Sequence, residues 1–276
     1  MAILKNTTIN DTGSLEIPSG SSAQRPASPS TGMIRFNTDY NSSEYYDGSQ
    51  WIVINILIGL NSNTPATSAS QLRDLGYPSG VYWIDWGGTP RQIYCEMNLE
   101  GGGWMMVLNY VHQGGTNPAL TVRTTDFPLL NVKYTLGSDE SSSNGVGGTW
   151  GHISNSLADD YNWSEYMFYG KTSGHNRIIH FTGSVSGVVS YIKTGTGSMT
   201  GIQSSFSTGS LAENSPNLPA VAENFFSDEG DFAMTNFPYY EGGAHHWGIR
   251  GAGNRWEVDD YPDNSSNDTI HRIWVR

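Results

Sequence analysis

A chain of 276 residues with 14 Lys+Arg against 26 Asp+Glu has net charge −12 and lacks the basic patches that neutralise phosphate, so nucleic acid is not an expected partner. Its 33 Gly, 15 Tyr and 9 Trp suit short strands joined by turns, and its length suffices for one large domain or two smaller ones. The longest apolar run, Trp51 to Leu60, is about half a membrane span and is broken by Asn55, so membrane insertion is not expected.

The first residues, Met1-Ala-Ile-Leu-Lys-Asn6, hold no apolar core of signal-peptide length, and Cys95 stands alone, so no intrachain disulfide can form. Both features point to synthesis in a reducing cytosol. Ile17 to Gly32 is a Pro/Ser/Gly-rich segment unable to hold a core. Met33–Asn37, Glu44–Tyr46 and Trp51–Ile54 then read as three short strands, with Asp47-Gly48 fitting a tight hairpin. Three such strands bury too little apolar area to fold alone. The alternation of Ile52, Ile54, Ile56 and Ile58 with Val53, Asn55 and Leu57 leaves apolar side chains on both faces, a segment that should seek partners, most simply copies of itself.

Asn61 to Ser68 reads as a linker, and Ser70 to Leu75 as a brief helix capped by Ser68 or Ser70 and stopped by Gly76. Beyond Gly80, strand candidates alternate with polar loops: Ile93–Met97, Trp104–Val111, Ile178–Thr182, Val188–Ile192 and Ile270–Val275 are the stronger ones. Ser138 to Thr149 is too polar to be core.

Two constellations carry candidate chemistry. In Phe226-Ser-Asp-Glu-Gly-Asp-Phe232, three carboxylates sit within four residues around a glycine. They form either an acidic surface turn or the oxygen cage of a hard dication such as calcium. In Gly242 to Asp260, His245-His246-Trp247 precedes a glycine-rich turn, Trp256-Glu257 and Asp259-Asp260. Trp247, Trp256 and Tyr261 offer apolar surface for a sugar ring. Zinc fits less well, because the histidines are adjacent and no third soft ligand is evident. Catalytic readings find little support. Asp159, Asp160, Glu165, Asp259 and Asp260 form no marked carboxylate pair, and Gly183 to Gly187 misplaces its serine for a nucleophile elbow. The chain is therefore expected to bind and not to catalyse.

Two resemblances sharpen this. Gly80-Val-Tyr-Trp-Ile-Asp85, Tyr94-Cys-Glu-Met97 and Gly101-Gly-Gly-Trp104 resemble, in order and spacing, the opening of fibrinogen-like recognition domains, and Ile270 to Arg276 resembles that family's last strand. Animal members pair this cysteine with one upstream; Thr67-Ser-Ala-Ser-Gln71 supplies none here. The family's calcium loop implies Asp228 and Asp231 as side-chain ligands and Phe232 as a carbonyl ligand, although Glu229-Gly230 departs from the usual spacing. Intelectin-type lectins, where a His and a Glu hold a calcium that grips a sugar diol, imply His245 and Glu257 as metal ligands and His246, Trp247, Trp256 and Tyr261 as neighbours of the sugar. Here one residue is inserted between the pair, and Gly242 stands where the lectins have an asparagine. The stretch at about residues 15–55, with Ala23-Gln-Arg-Pro26, Gly32-Met-Ile-Arg35, Asn37-Thr38, Tyr46-Asp-Gly48 and Trp51, is similar to a module of bacteriophage tail-fibre and virion structural proteins.

Together these imply an α+β, mainly β chain: a short all-β oligomerisation and virion-attachment module with its linker over 1–63, then a fibrinogen-C-terminal-like domain over 64–276. The expected protein is a homotrimer made in the host cytoplasm. It joins other virion or tail proteins through residues 1–63 and binds a bacterial surface glycan with the help of calcium. A particle-stabilising decoration protein is the alternative, and a glycan depolymerase the third.

Overall fold

The computed structural model describes residues 13–54, 58–113, 120–129, 150–171, 176–196, 206–214, 230–235, 247–249, 256–258, 261–262 and 267–276. The chain is mainly β with few helices and divides into two compact units, Met1–Leu57 and Ile58–Arg276. The break precedes the expected 63/64 boundary. Trp83 N–H donates to the Gly59 carbonyl and Gly59 N–H to Thr64, both at 2.7 Å, which ties Gly59 to the second unit.

The first unit is a four-stranded sheet: β1 (Ser19–Gly20), β2 (Ile34–Asn37), β3 (Ser42–Tyr46) and β4 (Trp51–Val53), with β1 parallel to β2 and the rest antiparallel. The β3–β4 connection is longer than the expected two-residue hairpin. Asp47 Oδ1 accepts from Ser49 N–H (2.7 Å) and Gln50 N–H (2.8 Å), and Gly48 takes φ +111°, which closes a four-residue loop.

The interior of this unit is polar. Arg25 donates to both carboxylate oxygens of Glu44 (3.1 and 2.6 Å) and Arg35 to one of them at 3.1 Å. Asn37 Nδ2 donates to the other oxygen at 3.1 Å. Burial opposes the charge on Glu44, yet the hydrogen bonds from Arg25 and Asn37 and both guanidinium charges hold its carboxyl below the usual range. Each guanidinium carbon also lies 6.0 Å from the Trp51 ring centroid. Arg25, Arg35, Asn37 and Trp51, quoted above for the sequence pattern of 15–55, thus meet around one carboxylate.

The second unit begins with α1 (Ala69–Asp74). Ser68 caps it, its hydroxyl accepting from Gln71 N–H at 3.1 Å, and Gly76 at φ +79° ends it. Its centre is a sheet in the order β12 (Ser207–Thr208), β11 (Ile178–Gly183), β10 (Tyr166–Lys171), β16 (Asn267–Val275), β7 (Trp104–Gln113), β6 (Thr89–Glu96), β5 (Gly80–Trp86). Off that path, β8 (Val122–Arg123) pairs with β9 (Gly151–Ile153), and β9 with β7. Both faces are apolar, as the period-2 alternation of a twice-covered sheet requires. Tyr166, Phe168, Phe181 and Ile273 join the larger cluster on one side, and Met167, Tyr169, Trp104 and Trp274 the smaller one on the other.

The glycine run before Trp104 has a steric cause. Gly101, Gly102 and Gly103 all take positive φ, and a Cβ on Gly102 would lie 2.1 Å from the Met97 carbonyl oxygen. Two guanidiniums hold the corner: Arg73 Nη1 donates to the Gly101 and Gly102 carbonyls, and Arg276 Nη1 to those of Glu100 and Gly102. Arg276 also lies 4.0 Å over the Trp104 ring.

Two helices follow, α2 (Asn155–Asp159) and α3 (Ser186–Thr194). The second corrects an expectation, since Val188–Ile192 reads as a strand by its β-branched and aromatic residues. The buried positions Val188, Tyr191 and Ile192 are spaced i, i+3, i+4, and Gly195 at φ +74° supplies a left-handed helix stop. Burial of one face overrides local propensity. No helix among the described residues is long and apolar enough to cross a membrane.

Candidate functional site

The two sequence constellations meet the described structure at two places. The first is the single helical turn Gly230–Phe232. Asp231 Oδ1 accepts from Asn155 N–H at 2.8 Å, at the start of α2, beside Ser154, whose hydroxyl caps the same helix at Leu157 N–H (3.2 Å). The Asp231 carbonyl accepts from His152 Nε2 at 2.8 Å. Because that nitrogen must carry the proton, Nδ1 is bare and accepts the Tyr110 hydroxyl at 2.6 Å. Burial lowers the His152 pKa to about 4, so the ring is neutral at pH 7, and burial likewise pushes the Tyr110 phenol up. The acidic turn is thereby bolted to β7 and β9 through a buried Tyr110–His152–Asp231 chain.

That geometry bears on the calcium expectation residue by residue. Asp231 offers the oxygen not engaged by Asn155. Phe232 is 43 % exposed, but its carbonyl accepts from both Thr235 N–H (2.9 Å) and Thr235 Oγ1 (2.8 Å), which occupies both lone pairs within the turn. The Phe232 carbonyl is thus already engaged within the turn. Asp228 lies outside the described residues. Among the described residues no group of three or more His, Cys, Asp or Glu side chains is placed to hold a metal ion, so the described part of the turn does not by itself constitute a cation site.

The second place is a three-stranded antiparallel sheet, β13 (Trp247–Ile249), β14 (Trp256–Val258) and β15 (Tyr261–Pro262). Its register brings four of the expected ligand-site residues together on neighbouring strands: Trp247 pairs with Val258, Val258 with Tyr261, Gly248 with Glu257 and Ile249 with Trp256. His245 and His246 lie outside the described residues; for Trp256, Glu257 and Tyr261 the backbone is described.

Trp247 is displaced from the role expected of it. Its side chain is 0 % exposed, and its indole N–H donates to the Tyr169 carbonyl at 2.8 Å. The ring stands edge-on to Phe168 and His271, each at 4.9 Å between centroids. Gly170 makes the room: a Cβ there would meet the Trp247 ring at 2.8 Å. Trp247 anchors the small sheet to the large one and offers no platform to a sugar.

Sequence reasoning missed Tyr110, His152 and Asn155. No spacing pattern marks them, because the turn they hold is far away in sequence and only the β7–β9 pairing brings them to it. Two clefts lie apart from the expected residues. One of about 370 Å³ is lined by Trp83, Arg91, Gln92, Asp126 and Phe127, and one of about 350 Å³ by Asp159, Ser184, Ser190 and Lys193. Cys95 is buried on β6, and burial pushes its thiol up, which makes it a poor nucleophile.

No family model matches the chain, and no curated protein matches it. Solved structures similar to it include the fibrinogen-like globe domain of human ANGPTL6, with TM-score 0.39 and 14% identity over 77% of this chain and 95% of that one. Another is the fibrinogen-like globe domain of human ANGPTL2, with TM-score 0.37 and 10% identity over 77% and 99%.

Proposed function

We propose that this chain is a bacteriophage virion component, a tail fibre or adhesin, whose second unit is a fibrinogen-like recognition domain for a bacterial surface glycan. The observation that carries the reading is the place of the three motif segments. Gly80–Asp85, Tyr94–Met97 and Gly101–Trp104 fall on or beside the consecutive antiparallel strands β5, β6 and β7, and the glycine run is sterically required at its corner. The segments thus act as one folded unit, as their resemblance implies. The virion assignment is supported by the pattern of 15–55, whose Arg25, Arg35, Asn37 and Trp51 surround Glu44 as the interior of a fold and not as a linker.

In this reading the glycan site comprises Glu257, Trp256 and Tyr261 of the small sheet with His245 and His246. Calcium is held by Asp231 with Asp228, or by His245 with Glu257. The chain binds without cleaving, and three copies raise avidity through effective concentration.

The test is retention of the full chain on a panel of immobilised bacterial polysaccharides and lipopolysaccharides, in millimolar calcium and then in chelator. Calcium-dependent retention on some members of the panel is expected. Retention on none, by folded protein, would overturn the reading in favour of a particle-stabilising role. Release of shortened saccharides would overturn it in favour of a depolymerase.

A further inference from the structure

Among its described residues, the Met1–Leu57 unit is inverted in polarity. Its buried side chains are Arg35, Asn37, Ser42 and Glu44, and none is apolar. The strands nevertheless carry large apolar residues; Tyr46, Trp51 and Val53 share the Glu44 face, and register collects five others on the opposite one. Ile34 pairs with Tyr45, which pairs with Ile52; Phe36 pairs with Ser43, to whose carbonyl Ile54 N–H donates at 2.7 Å. These two cross-strand rows alternate with the row Arg35, Glu44, Val53, so they lie opposite the charged interior. Ile34 is 51 % exposed, Ile54 45 % and Tyr45 38 %, with Phe36 and Ile52 half-buried.

We propose that this face, Ile34, Phe36, Tyr45, Ile52 and Ile54 around Ser43, is the surface through which copies of this chain associate. A sheet this small, whose described residues bury no apolar side chain, gains little from its own interior to offset its chain entropy, and burial of this face would supply what it lacks. At the exposures given, the five side chains offer roughly 350 Å² of apolar surface per copy, on a scale of ~150–250 Å² for a large side chain. A stable interface takes about 800 Å² from each partner, somewhat more than half of it apolar. The face alone supplies about two thirds of that apolar share.

Charge argues for another copy as the occupant. None of the side chains named on this face is charged at neutral pH, so it would not select an oppositely charged partner. The chain's net charge of −12 makes copies repel one another through most other surfaces, and disfavours an anionic bilayer. An uncharged patch on an acidic chain is where like molecules can meet. That the number of copies is three rests on the function proposed above; the surface itself does not.

Sedimentation velocity of the full chain across the micromolar range tests this. The wild type is expected to sediment as an oligomer whose mass does not fall in 1 M salt. Ser43→Arg puts a charge at the centre of the face without removing an apolar contact, and is expected to weaken association at least hundredfold. Ile34→Ser with Ile54→Ser is the second variant, and Ser49→Arg, in the exposed loop, is the control that leaves the mass unchanged. A monomeric wild type, an oligomer that Ser43→Arg does not dissociate, or dissociation by salt alone would each overturn the proposal. So would a monomeric wild type that floats with lipid vesicles, which would assign the face to a membrane. If the wild type assembles and Ser43→Arg does not, while neither binds polysaccharide, the surface stands and the glycan reading falls. A monomeric wild type that binds polysaccharide reverses that outcome.

Discussion

Among the described residues of Met1–Leu57 the side chains removed from water are Arg35, Asn37, Ser42 and Glu44; in Ile58–Arg276 they include Trp86, Trp104, Trp247, Trp274, Tyr166 and Phe168. The first unit is organised by directional bonds to one carboxylate, which specify a geometry but add little net stability. The second is organised by two apolar clusters on the faces of one sheet, which stabilise it without help. A polar interior with an apolar exterior is the pattern of a part that folds in company, and the reverse pattern that of a part able to stand alone.

The largest expected effect lies in the second unit. Gly102→Ala forces a side chain at φ +68° into the Met97 carbonyl, and should cost on the order of 4 kcal/mol, read as a large fall in the thermal midpoint. An unchanged midpoint would show that the corner is not the rigid element described. In the first unit, Glu44→Gln leaves Arg25 and Arg35 without their carboxylate, at a cost of about 3 kcal/mol or more. Expected is loss of assembly in sedimentation with the second unit's thermal transition unmoved; a shift of both transitions would undo the contrast between the units.

Acid sharpens the comparison further. His180 on β11 accepts Leu211 N–H at Nδ1 (3.0 Å), its carbonyl accepts Gly209 N–H (2.8 Å), and burial lowers its pKa to about 4. Glu100, which works against that shift, and Tyr169 are the titratable groups facing it. Since the unfolded imidazole titrates near 6.5, the unfolded state binds more protons below that pH. The contribution of His180 is therefore whole above pH 6.5 and is lost as pH falls through about 4, to the extent of roughly 3 kcal/mol. His180→Phe should flatten this part of the stability–pH curve, and an unaltered curve would exclude His180 as its source.

The smallest effect is expected at Asp231→Asn. The amide oxygen still accepts Asn155 N–H, so stability without metal should change by less than about 1 kcal/mol. With calcium held at the acidic turn, the rise in midpoint on adding it should disappear. A calcium-induced rise that survives the substitution would remove Asp231 from the ligand set.

Much of the scaffold was legible because it is written in local steric and periodic constraints. The Ser68 cap and Gly76 stop bracket α1, and the Gly101–Gly103 run marks the corner before Trp104. Val188–Ile192 misled because its residues favour strands while its burial follows the helical spacing of Val188, Tyr191 and Ile192. At the candidate site, the sequence grouped Trp247 with Trp256, Glu257 and Tyr261, and the small sheet does place them on adjacent strands. It could not tell that Trp247 points inward, because that depends on the space left by Gly170. Nor could it connect His152 to Asp231 across 79 positions, a link made only by tertiary pairing.

The most direct test of the division between an assembling unit and a recognising unit is to titrate wild type and Ser43→Arg side by side on immobilised bacterial polysaccharide, with millimolar calcium and with chelator. Chelator is expected to abolish binding by both proteins, and Ser43→Arg in calcium to bind on the order of a hundredfold more weakly while keeping its calcium dependence. Binding indifferent to chelator, or equal for the two proteins when the wild type is oligomeric, would contradict that expectation.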